Sequence, residues 1–258
     1  MKYALLFSAI FKKDLLYQWR YKVNTLVGIF FLTFVCLGIL FGINSFSGDK
    51  MDSAQKAGFI GGYILWVVMM TNYQTITRTI TSESTLGTFE QLYINSSNIF
   101  TYLFMKCFST FLNGLVMLYA IIFLLLYFGG VPLDRNILLI LPVILLGIPA
   151  LWGISLGIGS LALVFKQIDS VSSVISMIVI ASIPIIVNKS YLASLLLPFG
   201  LANKLSQDIF TNNAALSGIG TLHVGLILAN DAAYLLIGIL LYKLSEHYAK
   251  QYGKLAHH

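Results

Sequence analysis

The sequence predicts an all-α integral membrane fold: six transmembrane helices, an N-terminal interfacial helix, and short broken helices between spans five and six. Three observations predict it. Long stretches hold no Asp, Glu, Lys or Arg; 58% of the residues are hydrophobic and only 10% charged; and the 16 basic residues are distributed unevenly along the chain. A chain this apolar carries more hydrophobic surface than one water-solvated core encloses, so a bilayer must solvate it. A helix crosses the hydrocarbon with roughly 20 apolar residues. The uncharged runs 24–48, 57–77, 107–133 and 136–165 meet that length, and 170–188 falls only slightly short. Backbone groups in lipid must be bonded internally, so these runs are expected to be helices; the alternating segments of a membrane barrel, each about ten residues long, do not occur.

In chain order, residues 1–22 are aromatic and basic together. As a helix they place Tyr3, Leu6, Ile10, Tyr17 and Tyr21 along one stripe, with Lys2, Lys13 and Arg20 on its flank and Asp14 interrupting it. Two readings fit, an interfacial helix on the cytoplasmic leaflet or a plain basic anchor. The spans are placed at about 24–46, 57–77, 100–128, 136–165, 170–188 and 223–243, in a single transmembrane domain covering 1–258. Asp231 interrupts the sixth, which is counted because the segment would otherwise leave a very apolar stretch in water. A polar turn at 48–55, the Gly129, Gly130 and Pro132 punctuation, and the brief 166–169 link make neighbouring spans antiparallel. In span four, Gly153 and Gly157 have the small-xxx-small spacing that lets helices approach closely. Residues 189–221 are too apolar for an exposed loop and too broken by Pro198, Asn212, Asn213, Gly218 and Gly220 for further spans. They read as two short helices, about 190–221, that dip into the outer leaflet and return.

Orientation follows from the basic residues, because short cytoplasmic loops hold the Lys and Arg excess. With the N-terminus inside, Lys2, Lys12, Lys13, Arg20, Lys22, Arg78, Lys106, Lys166, Lys243, Lys250 and Lys254 are cytoplasmic, against Lys50, Lys56, Arg135, Lys189 and Lys204 outside. Both termini are therefore expected in the cytoplasm of a cell-membrane protein. The net charge of +6 reads as topology and contact with anionic membrane lipid, not as a nucleic-acid footprint. Cys36 and Cys107 have no metal-ligand spacing and read as small packing residues without a disulfide. Lys12 and Lys13 cut the first apolar run short, so a cleaved signal is not expected.

The segment between spans two and three has its own local logic. It runs from Arg78 through Glu83, Gly87, Thr88, Phe89, Glu90, Gln91 and Leu92 to Asn95. Gly87 is expected to stop the helix descending from span two. Thr88 and Gln91 have capping-box spacing, so a second short helix starts there, over about 88–95. On it Phe89, Leu92 and Tyr93 share a small apolar face. Glu90, without basic neighbours, suits anionic lipid poorly and a protein partner better.

These residues resemble the permeases of the ABC-2 type exporter family, in which a Glu and then Gly-Thr-Leu-Glu-x-Leu follow the second of six spans. Glu83 and Gly87-Thr88-Phe89-Glu90-Gln91-Leu92 match, with Phe89 in place of Leu; Ser96-Ser97-Asn98 stands where members often have Ser-Pro. The similarity covers nearly the whole chain. It implies a docking helix that engages a separate ABC ATPase subunit, with ATP and Mg bound by that partner and no cofactor bound by this chain. It further implies a second permease copy or paralogue, and export of a drug, a peptide or a lipid-like, hydrophobic or amphipathic substrate. The chain itself is then no enzyme. It carries no G-x-x-x-x-G-K-[ST] segment, and Gly253-Lys254 is followed by Leu255.

Polar residues inside the spans are the remaining candidates. Asp231 stands 12 residues before Lys243, roughly 18 Å along a helix. A carboxylate there is a functional candidate by position, with Asn230 or protonation as a structural alternative. Asn113 in span three reads as an interhelical hydrogen-bonding residue, and Asn72, with Tyr73 and Gln74, as the lining of an inner entrance. His223, His247, His257 and His258 lack metal spacing, and no Ser-His-Asp set suggests a hydrolase. The alternative reading is a self-sufficient secondary transporter or channel, which would show internal repeats and paired broken helices; no such repeat is evident.

Overall fold

The computed structural model describes residues 2–46, 52–85, 87–88, 91–92, 99–129, 136–164, 173–174, 190–212 and 220–251. These are helical with short links, and no strand occurs among them. The helices are α1 (Lys2–Arg20), α2 (Lys22–Phe46), α3 (Ser53–Tyr73), α4 (Thr75–Thr85), α5 (Ile99–Gly129), α6 (Asn136–Val164), α7 (Tyr191–Leu196), α8 (Gly200–Asn212) and α9 (Thr221–Gln251).

Four of them, α2, α5, α6 and α9, are long and apolar enough to cross a bilayer, which makes this a multi-pass membrane protein. Their surfaces fit that medium. On α2 the buried residues Ile29, Thr33, Cys36 and Leu40 form one stripe at helical spacing. Val23, Leu26, Val27, Phe30, Phe31 and Phe34 stand exposed around the rest, an apolar surface that water would not tolerate on this scale. Helix α3, the expected second span, is more polar and is not among the four. It is instead largely enclosed by protein, with Ile60, Ile64, Leu65, Val68 and Met69 buried among α2, α5, α6 and α8. The expected fifth span, 170–188, lies outside the described residues apart from Ser173 and Val174, which are helical.

Helix α6 is the hub, and its most extensive contact is with α9. A Cβ built on Gly153 would lie 2.5 Å from the Tyr234 carbonyl oxygen, and one on Gly238 would overlap the Gly153 carbonyl. The expectation that Gly153 and Gly157 serve close packing therefore holds, with Gly238 as the counterpart on α9. The matched positions advance together: Ala150 meets Asp231, Gly153 meets Tyr234, and Gly157 meets Gly238 and Leu241. Thus α6 and α9 run parallel. The chain leaves α6 beside Tyr242, which shares a cluster with Leu163. It resumes at Ser190 on α7, whose last carbonyls meet Asn230 and Tyr234, about 18 Å away along α9.

Within the range 190–221, where two short broken helices were expected, lie α7 and α8; residues 213–219 are outside the described residues. Ser190 caps α7, and the turn passes through Phe199 in the left-handed region (φ 61) with Pro198 before it. The Phe199 ring and Ala202 fill the space over Gly147, while Phe210 fills that over Gly61, so α8 wedges between α6 and α3.

Helix α1 docks on the bundle along an edge beside the expected aromatic stripe. Ile10 is buried, but Tyr3 and Tyr17 stand exposed. The docked edge is Phe7, Ile10 and Asp14, with the Phe7 and Phe108 rings 5.6 Å apart. Asp14, read from sequence as an interruption, is the anchor: it pairs with Lys106 and accepts from the Ser109 hydroxyl at 2.6 Å.

Candidate functional site

The turn from Glu83 to Leu92 is built from both sides. The helix expected to descend from span two to Gly87 is α4, a separate and packed helix with Thr75, Ile76, Thr77, Thr79, Ile80 and Thr81 buried. Gln74 separates it from α3, and the N–H groups opened at its start are met from another helix. The Ser155 hydroxyl of α6 accepts from Ile76 N at 3.0 Å and Thr77 N at 3.3 Å, and the Thr77 hydroxyl donates to the Ser155 carbonyl at 3.0 Å. This is an N-cap supplied 79 residues away in sequence. No sequence signal marks it, because capping patterns are legible only when cap and helix are contiguous.

The far end of α4 closes as the sequence predicted. Gly87 has φ 69, its N–H donates to the Ser84 carbonyl at 3.1 Å, and the Thr88 N–H donates to the Glu83 carbonyl at 3.0 Å. Those two bonds form a Schellman turn, which needs the left-handed residue that glycine supplies without steric cost. Leu92 N donates to the Thr88 carbonyl at 2.9 Å, so a new helical turn begins at Thr88. The Thr88 hydroxyl, expected as the capping-box partner of Gln91, donates to the Glu83 carboxylate at 2.5 Å. Gln91 is exposed and Leu92 half-buried. Phe89 and Glu90 lie outside the described residues, as does the rest of the expected helix from Tyr93 to Asn95.

Leu92 packs on a cluster that gathers the ends of four helices: Ile76 and Ile80 of α4, Ile99, Leu103 and Cys107 of α5, Leu156 and Leu163 of α6, and Tyr242 and Ala249 of α9. The segment is thus joined to the bundle through α4 and through this cluster. Cys107 and Cys36 are buried free thiols in apolar packing, as expected.

The intramembrane candidates lie elsewhere and do not form one site. Pro149 has no N–H and its ring pushes away the carbonyl four residues earlier. At this opened turn Ala150 N donates to Asp231 Oδ1 at 3.1 Å. Asp231 is buried, and its Oδ2 makes no hydrogen bond. Asn230 is not its partner: the Asn230 amide donates to the Leu195 carbonyl at 2.7 Å, and Tyr234 OH to the Leu196 carbonyl at 2.8 Å. These two side chains satisfy the carbonyls at the end of α7. Asn113 is buried with neither amide atom hydrogen-bonded, so the interhelical bond expected of it is not made. Asn72 is buried at the edge of a pocket between α2, α3 and α5. Asn203 and Ser206, one turn apart on α8 and fully buried with no hydrogen bond to their side chains, were not singled out from sequence; both sit in a segment read there only as a dip into the outer leaflet. No group of three or more potential metal ligands occurs among the described residues.

Comparison with known protein families, with curated proteins and with solved structures returns no match.

Proposed function

We propose that this chain is the membrane-spanning permease subunit of an ABC-2 type exporter, driven by a separate ATPase that binds ATP and Mg. The observation that carries the reading is the Glu83–Gly87–Thr88 turn. It lies at the free end of a buried helix whose other end is capped by Ser155 of α6. A force applied to the segment after Thr88 reaches α6 through α4, and reaches α5 and α9 through the cluster around Leu92 and Tyr242. That is the mechanical requirement for a segment docked on a motor. The parallel course of α6 and α9 supports a crossing of the chain between them, and with it six spans and two cytoplasmic termini. Two copies, or one copy and a paralogue, surround the pathway for a hydrophobic or amphipathic substrate.

The test is purification of the full chain with its membrane partners, followed by reconstitution in vesicles. An ATPase is expected to co-purify, and substrate movement is expected to require ATP. Glu90→Ala, or deletion of Gly87 and Thr88, is expected to leave hydrolysis running while transport falls. Normal ATP-driven transport in an assembled deletion variant would overturn the assignment.

A further inference from the structure

The cations of α1 face outward without a counter-charge. Asp14 is the only acidic residue ahead of Asp49, and it is engaged on the docked side of α1, against Lys106 and Ser109 of α5. Lys12, Lys13, Arg20 and Lys22 all stand exposed, and among the described residues none of them pairs with a carboxylate. The two nearest the start of α2 are held against rings: the Arg20 guanidinium lies 6.0 Å from the centre of the Tyr21 ring, and the Lys22 ammonium 6.0 Å from that of Trp19.

Apolar groups share this outward face. Leu5, Lys12, Leu16 and Trp19 recur at helical spacing, i, i+7, i+11 and i+14, and Trp19 is 77% exposed. From Val23 the exposed surface turns to hydrocarbon through Leu26, Val27, Phe30 and Phe31. The order along the chain is therefore cations set among leucines, then a band of Tyr17, Trp19 and Tyr21 holding Arg20 and Lys22, then apolar side chains. A membrane surface imposes that order, with headgroup phosphates first, the interfacial aromatic belt next and acyl chains last. An acidic protein or a nucleic acid would match the charge. It would leave Leu5, Leu16 and Trp19 unexplained, along with the continuity of this face with the lipid-exposed side of α2.

We propose that the outward face of α1 and the start of α2 bind anionic phospholipid, the phosphates meeting Lys12, Lys13, Arg20 and Lys22 while Leu5, Leu16 and Trp19 enter the edge of the acyl layer. A zwitterionic headgroup offers the same phosphate but carries its own cation beside it. An anionic headgroup leaves that charge free for the four side chains, and each Lys or Arg at a negatively charged leaflet contributes roughly a fivefold preference. Binding requires neither an ATPase nor transport, so it stands or falls apart from the exporter assignment.

The experiment uses the full chain in nanodiscs of phosphatidylcholine with a minor fraction of phosphatidylglycerol. Bromine, a quencher of tryptophan emission, is placed near the top of the acyl chains of either the glycerol lipid or an equal amount of the choline lipid. Emission is recorded for the unaltered chain and for Trp19→Phe, and the difference isolates Trp19 without altering Trp66 and Trp152, which pack on the core. Trp19 is expected to be quenched by both lipids, roughly threefold or more strongly by the anionic one. That excess should fall away at high salt. Lys12→Gln, Lys13→Gln, Arg20→Gln and Lys22→Gln together are expected to remove the excess and to leave quenching by the choline lipid in place. Equal quenching of Trp19 by the two lipids would overturn the proposal. So would an excess that survives in the folded quadruple variant, or a Trp19 quenched by neither lipid, which would put this face in water or against another macromolecule. The comparison of the two lipids on the unaltered chain and Trp19→Phe decides the matter even if the quadruple variant does not fold.

Discussion

The Thr88 hydroxyl donates to the Glu83 carboxylate at 2.5 Å across a turn whose apex is Gly87. A hydrogen bond to a charged acceptor is stronger than a neutral one, but this one is only half-buried. Thr88→Val is therefore expected to cost about 1 kcal/mol, read by thermal unfolding in detergent. Glu83→Gln should cost a similar amount. Because the two groups share one interaction, the double variant should cost no more than the larger single change, and full additivity would show that the pair is not coupled.

Gly87 makes a separate prediction. Its φ of 69 lies where an L side chain crowds the following carbonyl, so Gly87→Ala is expected to destabilise by about 1–2 kcal/mol. Gly87→Asn should recover much of that loss, because Asn tolerates the left-handed region. If the cost of alanine is conformational, limited proteolysis should find the segment beyond Thr85 cut faster in Gly87→Ala and near the original rate in Gly87→Asn.

The contact of Gly153 with Tyr234 and Gly238 leaves no volume for a side chain. Gly153→Val must push α6 and α9 apart, and loss of monodisperse protein in detergent is expected. Gly42→Ala is the control: nothing lies within 4 Å of a Cβ there, so it should be at least as stable as the original. Equal behaviour of the two variants would contradict the packing described for α6 and α9.

For Asp231 the deciding feature is the acceptor, not the charge. Its Oδ1 satisfies the Ala150 N–H beside Pro149. Asp231→Asn retains an amide oxygen there and is expected to melt at or above the original temperature. Asp231→Leu removes the acceptor and is expected to melt lower. If transport is measured and Asp231→Asn abolishes it without loss of stability, the carboxylate has a role beyond packing.

Legibility from sequence followed the range of the interactions. The glycine stop at Gly87 and the new turn at Thr88 were readable because every participant lies within five residues. The donation of the Thr88 hydroxyl to Glu83 was not read, because only the folded Gly87 turn brings the carboxylate within reach. The helix running down to Gly87 was expected, but its separation from α3 at Gln74 and its burial were not, because both depend on packing against α6. In the structure Thr79 and Thr81 return their hydroxyls to carbonyls of their own helix, while the buried face meets α6.

By itself the sequence determined the medium and the long helices: uncharged apolar runs leave the backbone no way to satisfy its hydrogen bonds in lipid except within each segment. It also determined the Gly87 stop, a local matter of backbone sterics. Only the tertiary structure decided which polar groups meet: Ser155 with α4, Asp14 with Lys106 and Ser109, Asp231 with Ala150, and Asn230 with Leu195. Each of these pairs joins helices distant in sequence. Their partners are set by how the helices pack and by where prolines open a turn, and no pattern along the chain encodes that.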